Sequence, residues 1–207
     1  MLALHTRRLG WPRLPAHAPG MCVGLLGGSF NPPHKAHLMI SLRALKRLGL
    51  DAVWWLVTPG NPLKDNRRLP PLAERAALAR AMAVHPRIVV TAFEAEAGLV
   101  YTVDAVAYLR MRAPRTRFVW LMGADNLVSF HRWRGWREIA AMVPIAVFDR
   151  PGATLRALNA PAAQALARFR VDEAQVQALF RNSPPCWTLL HGPRSTLSST
   201  ALRQATS

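Results

Sequence analysis

A chain of 207 residues, about half of them apolar, is long enough for one large-domain core, and it holds no run of about 18 apolar residues that would cross a membrane. The formal net charge is +16, and of the 27 basic residues only three are lysine. That balance suits polyphosphate substrates or non-specific nucleic-acid binding, but no run of five Lys/Arg and no RNA-binding or zinc-finger pattern is present.

Residues 1–20 carry Arg7, Arg8, Arg13, Pro12, Pro15 and Pro19 and no acid. They lack the apolar stretch of a secretory signal. The expectation is a disordered basic extension, or an upstream start with Met21 as the working one; a transit peptide is the other option. Residues 21–207 are expected to form a single domain. The two cysteines, Cys22 and Cys186, fall in apolar segments and make no disulfide framework, so a cytoplasmic location is expected.

Met21 to Leu26 is a short apolar run ending in glycine, consistent with a buried parallel strand. Gly27 and Gly28 let the backbone approach a ligand, and Asn31-Pro32-Pro33 forces an extended turn. A helix follows, with Leu38, Leu42 and Leu45 spaced as its apolar face. Strand, glycine turn and helix start together present free N–H groups and a positive dipole end to a phosphate. His34 and His37, three apart, share a face at that start. They can donate to phosphate oxygens, bind a metal, or fill a structural role. The metal reading is the weaker, because no third and fourth ligand lies nearby. The spacing is neither that of a P-loop nor that of a dinucleotide-binding Gly-x-Gly-x-x-Gly turn.

Val53 to Val57 reads as the second strand, and the loop from Thr58 to Asn66 carries Lys64. Leu72 to Val84 is an alanine-rich helix whose Glu74, Arg75 and Arg80 read as solvated. Ile88 to Thr91 is β-branched and forms the third strand. Glu94 and Glu96 follow in a loop, where an acid/base role is declined in favour of solvation. Tyr101 to Arg110 starts another helix, with Thr102 as its N-cap. Phe118 to Met122 is the fourth strand. It ends at Gly123-Ala124-Asp125, where Asp125 can accept from a sugar hydroxyl or from helix N–H groups. Phe130 to Arg137 packs three aromatics and three arginines into eight residues, suited to stacking on a flat ring and pairing with phosphate. Pro144 to Phe148 and Trp187 to Leu190 are the remaining strands. Between them Ala153 to Phe180 reads as a helical excursion. Ser198, Ser199 and Thr200 open a terminal helix with Arg203 one turn in, suited to a triphosphate or simply an N-cap. Strands alternating with helices define an α/β fold with a Rossmann-like parallel sheet flanked by helices.

Gly27-Gly-Ser-Phe-Asn-Pro-Pro-His-Lys-Ala-His-Leu38 resembles the first signature of the nucleotidyltransferase superfamily with a His-x-x-His motif. Leu197-Ser-Ser-Thr-Ala-Leu-Arg203, about 160 residues later, resembles its second. Gly123 to Trp133 looks like the corresponding segment of the nicotinate-nucleotide adenylyltransferases. The resemblance covers Met21 to Arg203. It departs at Asn31, usually Asp, and at Ala36, usually Gly, and both changes are expected to be tolerated.

The resemblance implies a nucleotidyltransferase-type fold and AMP transfer from ATP to nicotinate mononucleotide, with Mg²⁺ accompanying the ATP. It implies catalytic roles for His34, His37 and Arg203. It implies an ATP site of Gly27, Gly28, Ser29, Phe30, His34, His37, Gly123, Asp125, Ser198, Ser199, Thr200 and Arg203. It implies a mononucleotide site of Asn31, Lys64, Thr102, Trp133 and Arg134, with Trp133 stacked on the pyridine ring. The partners expected are the two nucleotides, with no specific nucleic acid and no membrane, in a monomer or homo-oligomer. Alternatives are the amide mononucleotide or phosphopantetheine as acceptor, or a non-catalytic nucleotide- or RNA-binding protein.

Overall fold

The structure is a computed structural model that describes residues 12–60, 63, 65–149 and 154–192. In its first half the elements are β1 (Cys22–Gly28), α1 (Lys35–Arg47), β2 (Ala52–Val57), α2 (Leu72–Met82), β3 (Ile88–Thr91), α3 (Phe93–Glu96) and α4 (Thr102–Arg112). Then come β4 (Arg117–Gly123), α5 (Ala124–Phe130), α6 (Trp136–Met142), β5 (Ile145–Phe148), α7 (Thr154–Leu158), α8 (Pro161–Ala165), 3₁₀ segments at Ala167–Phe169 and Glu173–Phe180, and β6 (Trp187–Leu190).

The six strands form one sheet in the order β3-β2-β1-β4-β5-β6, and every neighbouring pair is parallel. The chain winds outward from β1 to β3 on one side and from β4 to β6 on the other. Winding therefore reverses between β1 and β4, and ligands of such sheets bind beyond the carboxyl ends of the strands at that reversal.

Both faces of the sheet are buried, which is why the strands read as continuous apolar runs. Leu25 lies in register with Trp54 on β2 and with Trp120 on β4, and all three face the core layer that holds Val106, Leu127 and Ile139 of α4, α5 and α6. Leu26, Trp55 and Leu121 face the opposite layer with Ile40 and Ala44 of α1 and Ala76 and Ala79 of α2. Burying each of the larger side chains contributes roughly 1.5–3 kcal/mol.

Three expectations about elements change here. The buried face of α1 is Ala36, Ile40, Ser41, Ala44 and Leu45, while Leu42 is exposed. Leu45 is buried and Leu38 packs on the core as expected, and the face is completed by Ile40 and Ala44 instead of Leu42. The stretch after β5 is broken into two short helices and two 3₁₀ segments, with Pro161 starting α8. Finally, within the stretch expected as an extension, Leu14 packs on the core, Gly20 N–H donates to Arg115 O (2.7 Å) and the His17 ring sits edge-on to Trp54. That part lies against the amino-terminal edge of the sheet. No helix among the described residues is long and apolar enough to cross a membrane.

Candidate active site

The site starts where β1 ends. Gly27 is required there by a close approach: a Cβ on it would lie 2.7 Å from the Trp120 ring. Three residues on, Phe30 adopts a left-handed φ of 46°, unusual for a side chain of its size. It is held there by burial, with its ring stacked on Trp55 at 5.1 Å and tilted against His37 at 4.7 Å.

α1 then begins, with His34 as its N-cap residue and no acid in its first turn. No carboxylate therefore neutralises the positive end of the helix, where His34 and His37 form a reciprocal capping box of uncharged rings and backbone N–H groups. The His34 and His37 rings face each other at 3.9 Å, His34 buried and His37 half-buried. The His34 N–H donates to His37 Nδ1 (3.2 Å). A neutral His37 ring accepting there carries its proton on Nε2, a donor on the far side of the ring. Its backbone is fixed as well: Trp55 Nε1 donates to Ser41 Oγ (2.7 Å), and Ser41 Oγ donates to His37 O (2.8 Å).

Arg75 corrects the sequence reading. Expected as solvated, it is 1% exposed and donates to the carbonyls of Ser29, Thr58, Pro59 and Pro70. It ties the loop after β1 to the loop after β2. A signal was present: Arg75 lies one turn before Ala79, on the small-residue face that meets the sheet. Glu74 and Arg80 are exposed, as expected.

On the β4 side of the reversal, Gly123 is the N-cap residue of α5, and Asp125 is exposed in its first turn beyond the carboxyl end of β4. Trp133 is half-buried, edge-on to Trp120 (6.1 Å) and Phe130 (5.4 Å). Trp120 is the ring that lies under Gly27, so Trp133 connects through it to the glycine turn. Gly135 follows with a φ of 63°, and a Cβ on it would lie 2.9 Å from Val103 on α4. This close approach brings the Trp133 turn against the start of α4, where the Arg134 guanidinium sits 4.5 Å above the Tyr101 ring. Thr102, Trp133 and Arg134 thus share one neighbourhood. Thr102 is the first residue of α4 and not its cap; Tyr101 holds the cap position in extended conformation. Asn31 and Ser29 are half-buried in the turn between β1 and α1. Lys64, Ser198, Ser199, Thr200 and Arg203 lie outside the described residues.

Glu94 also departs from its reading. It sits in α3, 6% exposed, with Oε2 unpartnered, and burial pushes its carboxyl up to about 7. Glu96 is exposed as expected. No spacing in the sequence separates these two acids; the single helical turn after β3 turns one inward. Burial raises both thiols, Cys186 to about 11, which leaves neither suited to act as a nucleophile. Among the described residues, no group of three or more His, Cys, Asp or Glu is arranged to hold a metal ion.

A parallel sheet with a glycine turn, a helix start and two imidazoles at its switch point defines an α/β protein of the nucleotidyltransferase type. Comparison with known proteins agrees. The cytidylyltransferase-like family profile matches residues 25–205. A probable nicotinate-nucleotide adenylyltransferase of Bradyrhizobium sp. (strain ORS 278) is 63% identical over 183 residues, covering 88% of this chain and 95% of the relative. One of Rhizobium meliloti (strain 1021) is 56% identical over 90% of this chain and 100% of its own length. In fold, the chain is similar to the Plasmodium falciparum nicotinic acid mononucleotide adenylyltransferase complexed with NaAD. That likeness has a TM-score of 0.66 at 16% identity and covers 89% of this chain and 83% of that one. The chain belongs to the cytidylyltransferase-like family and, within it, to the nicotinate-nucleotide adenylyltransferases.

Proposed function

We propose that this chain transfers AMP from ATP to the 5′-phosphate of nicotinate mononucleotide, releasing pyrophosphate and forming nicotinate adenine dinucleotide, a step of NAD biosynthesis. The observation that carries the reading is the close, tilted His34–His37 ring pair at the acid-free start of α1, in a chain 63% identical to a relative of that name over nearly all of its length. A phosphate oxygen of the mononucleotide attacks the α-phosphorus in line. The bond from that phosphorus to the bridging oxygen breaks, and its electron pair leaves with pyrophosphate. Both phosphates are already anions at neutral pH, so no protein nucleophile is needed and catalysis is positioning and charge stabilisation.

In this reading His37 Nε2–H and His34 donate to the triphosphate, with the N–H groups of the Gly27–Phe30 turn and of α1 around it. Asp125 accepts from a nucleotide sugar. Trp133 stacks on the pyridine ring, with Thr102, Asn31, Lys64 and Arg134 about the mononucleotide. Arg203 with Ser198, Ser199 and Thr200 holds the leaving pyrophosphate. Mg²⁺, when bound, neutralises charge on the triphosphate and is held mostly by phosphate oxygens and water.

The test is pyrophosphate release from ATP and Mg²⁺ with nicotinate mononucleotide, its amide and phosphopantetheine offered side by side. Release with the acid, lost in His37→Ala, is expected. Preference for the amide would keep the mechanism and change the substrate; no release with any acceptor would overturn the reading.

A further inference from the structure

Arg75 is a buried charge that the mechanism leaves unused. Among the described residues its four side-chain partners are all carbonyl oxygens: Ser29 (2.8 Å), Thr58 (2.8 Å), Pro59 (3.2 Å) and Pro70 (2.9 Å). Burying a guanidinium with no carboxylate against it is costly, and a lone structural tie between two loops does not require a charge. The contact with Ser29 has a geometric consequence. The Ser29–Phe30 peptide is trans, so its C=O and N–H point in opposite directions. With the carbonyl fixed toward α2, the Phe30 N–H faces the other way, and among the described residues it donates to nothing. The left-handed φ of Phe30 fits the same picture: a strained residue persists only where its surroundings hold it.

We propose that Arg75 is a positioning residue for adenylyl transfer: by holding the Ser29 carbonyl it aims the Phe30 N–H at the phosphate being transferred, and its uncompensated charge lies beneath that phosphate. The inference rests on the function proposed above. A fixed N–H donor aimed at developing charge acts mainly in the transition state, so its loss reads in kcat and leaves substrate affinity nearly alone. The positive charge adds to this because it sits in a low-dielectric interior.

The experiment compares wild type, Arg75→Met, Arg75→Lys and Arg75→Ala in steady-state pyrophosphate release with ATP and nicotinate mononucleotide. Rates are expressed per folded molecule, with the folded fraction taken from circular dichroism. Arg75→Met is expected to lower kcat by about 10- to 100-fold while both KM values stay within about threefold. Arg75→Lys should lose less, since an ammonium keeps the charge but has three donors for four carbonyls. Guanidinium ion at non-denaturing concentration should restore several-fold activity to Arg75→Ala and none to wild type. A merely structural residue would lower activity only in step with the folded fraction and would show no rescue. Undiminished kcat in Arg75→Met, or a loss confined to KM, overturns the inference while wild type still turns over. A wild type inactive with every acceptor overturns the functional reading first, and this inference with it.

Discussion

His37 draws its role from three contacts that fix it from different sides. The His34 N–H fixes the tautomer, the Ser41 hydroxyl fixes the backbone, and Phe30 fixes the ring plane. Replacing it with Gln keeps one donor but loses the direction, so His37→Gln is expected to lower kcat by about 100-fold or more with the melting temperature little changed. Activity and thermal melts on the same sample check this. Glu94 makes a different prediction, about stability. Its carboxyl titrates near 7 in the fold against about 4.5 when free. The folded state therefore holds the proton more tightly, and stability is full below about pH 4.5 and falls as the pH rises through 7. The cost above neutrality is of order 3 kcal/mol. Glu94→Gln should flatten the dependence of melting temperature between mildly acidic and mildly alkaline buffer. A variant curve parallel to wild type would rule the assignment out.

At the scale of elements, the start of α1 is held by groups from β1, β2 and α2. Trp55 reaches it through Ser41. Removing that hydroxyl leaves a buried indole N–H without a partner, so Ser41→Ala is expected to cost about 1–3 kcal/mol in urea unfolding, and to lower turnover by loosening the first turn. The glycine turn is similarly constrained. Gly27→Ala places a methyl against a rigid indole at 2.7 Å, and should cost about 1–3 kcal/mol together with activity. Gly98, with nothing within 4 Å, tests only its left-handed φ: Gly98→Ala should leave turnover unchanged.

At the scale of the whole molecule, the charge of +16 acts at long range. It raises the local concentration of polyanions at low salt, an attraction that is screened beyond roughly 10 Å at 0.1 M salt. Retention of RNA by the chain should therefore vanish as salt rises, with the steep logarithmic dependence of counterion release. Pyrophosphate release with nicotinate mononucleotide should persist under the same conditions with a raised KM for ATP. RNA affinity that survives high salt, without turnover, would favour a nucleic-acid-binding protein.

The sequence by itself determined the local pieces: six strands, the glycine turn and most of the helices, though Tyr101 and not Thr102 caps α4 and the short α3 was read as loop. These follow from short-range rules, in which apolar runs, glycine, proline and residue spacing act over a few positions. The family was legible too, since two signatures some 160 residues apart in the right order are specific without any structure. The tertiary structure alone decided which groups of similar chemistry are buried. Arg75 and Arg80 lie on one helix, and Glu94 and Glu96 on one turn, yet one of each pair is inside and the other outside. Leucine spacing was right for Leu45 and Leu38 on α1 and wrong for Leu42, which had no sheet to meet while Ile40 did. Burial is set by what the rest of the chain places opposite a residue, and at Arg75 that is four carbonyls from three separate segments.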